Sequence, residues 1–222
     1  MPRPIIAIDG PSGAGKGTVA RALAGALGYR HVDTGAMYRA VAWKAVHAAL
    51  DLTDEPALSA LAREAALVVE GGVVAIDGHE VTRAIRTPEI DEAASAVARL
   101  PEVRAALVAR QRALAAEGGI VMEGRDIGTV VFPQADVKIY LDASEAERAR
   151  RRAHDSAHTS GQGDAAAVAA SLQARDHSDT TRRVSPLLKA DDAHYVDTTA
   201  MSVEAVVDHV LALVRDGLPS PA

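Results

Sequence analysis

The spacing of apolar positions changes several times along this chain, and each change marks an element. Ile5-Ile6-Ala7-Ile8 is a short continuous apolar run, the pattern of a parallel strand buried on both faces. It stops abruptly in Gly10-Pro11-Ser12-Gly13-Ala14-Gly15, and the Ala- and Leu-rich run Thr18 to Leu27 then predicts a helix. Tyr29 to Asp33 predicts a second strand, Thr34-Gly35 a turn, and the apolar residues to about Leu50 a second helix. A further helix is predicted from Glu55 to Leu67. After it Val68-Val69, Val73 to Ile76 and Glu80-Val81 are brief β-like pieces divided by Gly71-Gly72 and Asp77-Gly78, two hairpin signals. Pro88 opens a helix through Val97, and Pro101 another through Glu117.

The parallel pattern resumes at Ile120-Val121-Met122, with a fourth strand at Val137 to Leu141 and a fifth at His194 to Val196. Helices are predicted from Ser144 to about Ala153, from about Ala165 to His177, and from Ser202 to Arg215, the last with Ser202 as cap and Gly217 near its stop. Asp155 to Asp164, DSAHTSGQGD, has the small, polar composition of a lid tip. The expectation is an α/β fold forming one domain over residues 1–222. It has a five-stranded parallel sheet flanked by helices, an inserted antiparallel-sheet and helix subdomain at about 68–97, and a short lid at about 155–164.

Composition adds exclusions. The chain's 222 residues suffice for one α/β core, and the absence of cysteine excludes disulfides, thiolate catalysis and cysteine-ligated zinc. The first strand begins too early to leave room for a signal peptide, and no apolar run approaches membrane-spanning length, so a cytoplasmic protein without a membrane partner is expected. A net charge of -6 argues against binding a nucleic-acid polymer. Of the 24 basic residues 20 are Arg, whose planar fork grips phosphate oxygens in pairs.

The positions of certain residues carry the chemistry. Gly10-x-x-x-x-Gly15-Lys16, between a buried strand and a helix, is the pattern of a phosphate-binding loop: backbone N–H groups converge on an anion, and Lys16 adds a full charge. The position after the lysine, usually a hydroxyl residue, is Gly17, and Thr18 follows one step later. In DTGAMYR a hydroxyl, Tyr38 and Arg39 stand within about two turns of a helix start. Glu123-Gly124-Arg125-Asp126 follows a buried strand at its carboxyl end, where open α/β sheets place ligands. Arg148, Arg150, Arg151 and Arg152 share one helix, and Arg175, Asp179, Arg182 and Arg183 follow the lid segment. His154 and His158 are four apart, as two metal ligands on a helical face would be. No third ligand accompanies them, and solvated lid residues are the expectation.

Taken together and in order, GPSGAGKGT, DTGAMYR, IRTPEI, EGRDIGTVVFP, KIYLDAS and RDHSDTTR resemble the bacterial cytidylate kinases over nearly the whole chain. That resemblance implies a P-loop kinase core with a monophosphate-binding insertion and a lid, using ATP and Mg²⁺ to phosphorylate CMP and dCMP. It implies that Gly10, Pro11, Ser12, Gly13, Ala14, Gly15, Lys16, Gly17 and Thr18 bind ATP. Arg151 is the first choice for an additional ATP contact from its helix. By the same resemblance Ser95, Arg104 and Asp126 meet the cytosine base, and Thr34, Tyr38, Arg39, Arg125 and Arg182 surround the acceptor phosphate. Arg175 and Asp179 fall at the sugar and its phosphate side, and Lys16, Arg125, Arg175 and Arg182 are the expected catalytic set. Glu123 stands where some relatives have Asp, and no protein ligand of the metal is assigned.

An acceptor phosphate oxygen is already anionic near neutral pH, so the task is to overcome repulsion between two polyanions and to exclude water. Such a clamp needs surfaces free to move, and a monomer is expected. A P-loop GTPase would carry an NKxD-type string, and none occurs. A nucleotide-binding module without turnover would have no use for Arg125, Arg175, Asp179 and Arg182 together. A P-loop kinase acting on UMP or another small phosphate acceptor is the main alternative.

Overall fold

The computed structural model describes residues 3–155 and 165–218. In chain order the elements are β1 (Ile5–Asp9), α1 (Lys16–Leu27), β2 (Arg30–Asp33), α2 (Thr34–His47) and α3 (Glu55–Glu64). They continue with β3 (Leu67–Glu70), β4 (Val73–Ile76), β5 (His79–Glu80), α4 (Pro88–Val97), α5 (Pro101–Leu114) and β6 (Ile120–Glu123). A π-helical turn (Ile127–Val131), β7 (Val137–Asp142), α6 (Glu145–Ala153), α7 (Ala165–Thr181), β8 (His194–Asp197) and α8 (Val203–Gly217) complete the described chain.

Five strands form a parallel sheet in the order β2-β6-β1-β7-β8, with Ile6 opposite Val121 on one side and Val137 on the other. Successive side chains of β1 point to opposite faces. Ile6 and Ile8 pack with Val19 and Leu23 of α1 and Val206, Val210 and Val214 of α8, whereas Ala7 joins Met37, Leu58, Val97 and Leu107 from α2 to α5. Both faces of the sheet are thus covered, as the unbroken apolar run predicts. The antiparallel β3-β4-β5 sheet shares a core with α2, where Ile76, Val81, Ile85 and Ile90 pack on Ala36 and Ala40.

Several boundaries differ from the sequence expectation for identifiable reasons. Thr34 and Gly35 are the first turn of α2 and not a loop, because the Asp33 carboxylate accepts the Ala36 N–H at 3.0 Å and caps the helix directly at the strand end. α1 starts at Lys16, two residues early, which puts the lysine in the first helical turn. α3 ends at Glu64 because Leu67 pairs with Ile76, and α5 ends at Leu114, ahead of Gly118 and Gly119, both at positive φ. α7 continues to Thr181 and carries Asp179 on its last turn. The π-helical turn after Asp126 has no counterpart in the sequence expectation. Of the expected lid, residues 156–164 lie outside the described residues.

Candidate active site

The loop after β1 is built against its neighbours. Gly10 has φ 147°, and a Cβ there would stand 1.9 Å from the Leu141 carbonyl oxygen, so only glycine lets the chain pass β7. Ser12 donates its N–H to Asp176 Oδ1 of α7 at 3.0 Å, while its carbonyl accepts from Arg148 Nη1 of α6 at 3.0 Å. Arg148 and Asp176 are also paired with each other, so two late helices hold the loop from outside. Lys16 Nζ donates to the Pro11 carbonyl at 2.7 Å. Burial first, and then the nearby Arg125 guanidinium, push the Lys16 ammonium well below its ordinary pKa. The glycine after Lys16 has a steric reason: a Cβ on Gly17 would come within 3.2 Å of Glu123 Oε1, which is itself 2.9 Å from His31 Nε2.

A cleft of about 1170 Å³ runs from this loop to α2, α4, α5 and α7. Ser12 through Thr18 and Arg151 line one end; Gly10 and Pro11 shape the loop without lining the cleft. Arg151 is held over the loop by Glu147 Oε1 at 2.8 Å and by Thr198, whose hydroxyl and carbonyl oxygens accept at 2.8 and 2.7 Å. The other end is lined by Thr34, Tyr38, Arg39, Ser95, Arg104, Arg125, Asp126, Arg175, Asp179 and Arg182. All ten residues assigned to the acceptor nucleotide by resemblance therefore share one cavity, although the chain separates the first from the last by well over half its length.

Carboxylates hold these arginines in place. Asp126 is bonded to Arg104 and lies 3.7 Å from Arg182 Nη2; Asp179 accepts from Arg125 Nε at 2.9 Å and from Arg182 Nη1 at 3.3 Å. Asp91 of α4 accepts from Arg39 Nε at 2.9 Å and faces Arg175 Nη1 at 2.9 Å. Burial alone would raise the Asp91 carboxyl, but the guanidiniums of Arg39, Arg175 and Arg152 more than reverse this and hold it well below the carboxylate range. Burial, with Arg39, Arg125 and Arg152 nearby, lowers Arg175 to about 10 despite Asp91. Thr34 donates to the Glu123 carbonyl at 2.7 Å, and Ser95 to the Asp91 carbonyl at 3.0 Å.

Several buried donors remain unmatched here. Tyr38 Oη, Arg104 Nε, Arg175 Nε and Arg182 Nη2 have no hydrogen-bond partner among the described residues, a state that costs free energy unless a ligand supplies acceptors. The cleft is thus suited to a molecule with an anionic group and polar edges. His154 Nδ1 donates to the Arg150 carbonyl at 2.7 Å; no cluster of three potential metal-binding side chains occurs among the described residues, and His158 lies outside them.

Sequence reasoning missed Asp9, Asp91 and Asp176, and it named Arg148 and Arg152 only as members of the arginine-rich helix without their contacts to the loop. Asp9 had a local signal, a charge ending an apolar strand, and its two oxygens accept the Ile127 and Gly128 N–H groups at 2.8 and 2.7 Å. Arg152 donates to the Ser12 hydroxyl at 3.2 Å. For Asp91 and Asp176 no local signal exists, because their partners lie on other helices.

A family model described as Cytidylate kinase matches residues 6–216. A cytidylate kinase of Desulfitobacterium hafniense (strain Y51) is 49% identical over 214 residues, covering 95% of this chain and 92% of the relative. One of Pelotomaculum thermopropionicum (strain DSM 13744 / JCM 10971 / SI) is 50% identical over 219 residues, covering 96% and 97%. Among solved structures, a gluconokinase from Sinorhizobium meliloti 1021 matches with a TM-score of 0.52 at 18% identity, covering 97% of this chain and 94% of that one, a likeness of fold alone.

Proposed function

The chain belongs to the cytidylate kinase family, and from that premise we infer that it transfers the γ-phosphoryl group of ATP to CMP and to dCMP. The observation that carries the residue-level reading is one cleft with a phosphate-binding loop at one end and Arg39, Arg104, Arg125, Arg175 and Arg182 at the other. On this reading the loop N–H groups and Lys16 hold the ATP phosphates, with Arg151 beside them. Arg39, Arg125, Arg175 and Arg182 bring the acceptor phosphate into line, neutralising the repulsion that separates the two nucleotides in water. Tyr38 and Thr34 add hydroxyls at the same end, Asp179 faces the sugar, and Ser95, Arg104 and Asp126 read the base.

Mg²⁺ takes few protein ligands and relies on nucleotide phosphates, and the Thr18 hydroxyl and Glu123 carboxylate, both on the cleft wall, fit that donor set and would hold it. Bound with ATP, the ion would supply neutralisation of the phosphate charge. We place the enzyme in the cytoplasm as a monomer, which suits a cleft that closes between free surfaces; among the described residues no helix is long and apolar enough to cross a membrane.

The experiment is coupled ADP release with CMP, dCMP, UMP, AMP, shikimate or no acceptor. Turnover is expected with CMP and dCMP, with kcat/KM for UMP lower by roughly a hundredfold. A faster rate with AMP or shikimate, or equal rates with and without acceptor, would overturn the assignment.

A further inference from the structure

Asp91 lies behind the cleft and is absent from its wall, yet it contacts two of the residues that form it. It sits on α4, is 8% exposed, and its two carboxylate oxygens face different helices: Oδ1 accepts from Arg39 Nε of α2, and Oδ2 stands 2.9 Å from Arg175 Nη1 of α7. Arg39 and Arg175 are both buried or nearly so, and two such cations repel at close range. A carboxylate between them removes that repulsion and fixes the plane of each guanidinium, as outer partners fix the ligands of a metal. It bonds Arg39 through Nε, and the Nη edge of that fork, with Asp33 Oδ2 at 3.9 Å from Nη1 and so beyond hydrogen-bond distance, can still meet an anion.

We propose that Asp91 is the positioning residue for the acceptor phosphate, holding Arg39 and Arg175 as a preset pair so that the phosphate meets two oriented forks. This rests on the reading that Arg39 and Arg175 meet that phosphate. Because Asp91 belongs to the inserted piece while its partners belong to α2 and α7, the carboxylate also sets how these three helices stand around the phosphate. The base end is held separately, through Asp126 and Arg104.

Steady-state kinetics of the full chain test this, with CMP varied at saturating ATP and ATP varied at saturating CMP. Asp91→Asn keeps the shape but removes the charge, and is expected to raise the KM for CMP by roughly tenfold or more, the loss typical of a charge-assisted hydrogen bond. The KM for ATP and the ratio of CMP to UMP efficiency should be unchanged. Asp91→Glu keeps the charge but moves the oxygens out by one methylene, so it should recover the melting temperature while the KM for CMP stays raised. A folded Asp91→Asn enzyme with unchanged KM for CMP overturns the proposal, and a lowered KM would make Asp91 a competitor of the phosphate instead. Recovery of both stability and KM in Asp91→Glu also overturns it, leaving only charge neutralisation; this variant decides alone if Asp91→Asn does not fold. Arg39→Met separates the two readings. An unchanged KM for CMP there would sink the acceptor-phosphate reading itself, whereas a raised KM with normal Asp91 variants would sink only the role of Asp91.

Discussion

The Asp126 carboxylate is bonded to the Arg104 guanidinium, and the two are 5% and 2% exposed. The Tyr38 ring lies 5.4 Å from the same guanidinium, closing the pair off on one side. A buried pair of this kind contributes little net stability, because desolvation offsets the attraction, and its value lies in fixing orientation. Asp126 can only accept hydrogen bonds, while Arg104 only donates and retains an Nε with no partner among the described residues. An acceptor and a donor held side by side match the N4 amino group and the adjacent acceptor edge of cytosine.

Asp126→Asn is therefore expected to lower the ratio of kcat/KM for CMP over UMP sharply, since the amide adds a donor that can meet the O4 of uracil. The wild-type preference expected from this pairing is a few kcal/mol, about a hundredfold. Competition assays with both nucleotides measure it. Equal losses for both substrates would remove Asp126 from base reading and turn attention to Ser95 and Arg104.

Lys16→Met should lower kcat by about two to three orders of magnitude, the loss expected when one cation aimed at developing charge is removed. The fold should survive, because Met keeps the apolar stem and the substitution relieves the repulsion between Lys16 and Arg125. Circular dichroism and thermal melting provide the check on folding. Near-normal turnover in a natively folded variant would remove Lys16 from phosphate binding.

Burial drives the Asp9 carboxyl from its ordinary 3.8 up to about 6, against the Gly128 and Ile127 N–H groups that favour its anion. With the folded pKa above the unfolded one, the native state binds more protons between those values. The contribution of Asp9 to stability is thus fully present below about pH 4 and is lost as pH rises through about 6, by at most about 3 kcal/mol. An Asp9→Asn variant does not titrate there, so its stability relative to wild type should rise between pH 4 and pH 7. Urea unfolding at both pH values measures the difference, and a constant difference would show that Asp9 titrates normally.

Gly10→Ala should destabilise the protein by about 4 kcal/mol or more, because its Cβ meets a backbone carbonyl that cannot turn aside. Gly25→Ala is the contrasting case. Gly25 lies within α1 with nothing near its missing Cβ, and the substitution should stabilise by about 0.5–1 kcal/mol. Denaturation midpoints of the two variants should move in opposite directions.

By itself the sequence determined the five parallel strands, the loop between β1 and α1, and the turns at Gly71-Gly72 and Asp77-Gly78. Each of these rests on contacts or dihedral limits within a few residues: an unbroken apolar run, glycine at positive φ, a proline at a helix start. It also named ten residues that the fold gathers along one cleft, although through resemblance of whole motifs and not through periodicity. Local pattern failed first at element ends, where Asp33 caps α2 directly from β2 and Leu67 leaves α3 to pair with β4.

Only the tertiary structure decided which charge faces which. Asp91 meets Arg39 and Arg175, Asp176 meets Arg148 and the Ser12 N–H, and Asp9 reaches the turn that follows Asp126. Each pair joins groups far apart in the chain, and a carboxylate can accept from any of the many arginines here with similar local energy. The choice is made by the packing of α4, α6 and α7 over the loop end of the sheet. That packing excludes water and so turns a surface charge into a fixed, strongly interacting one.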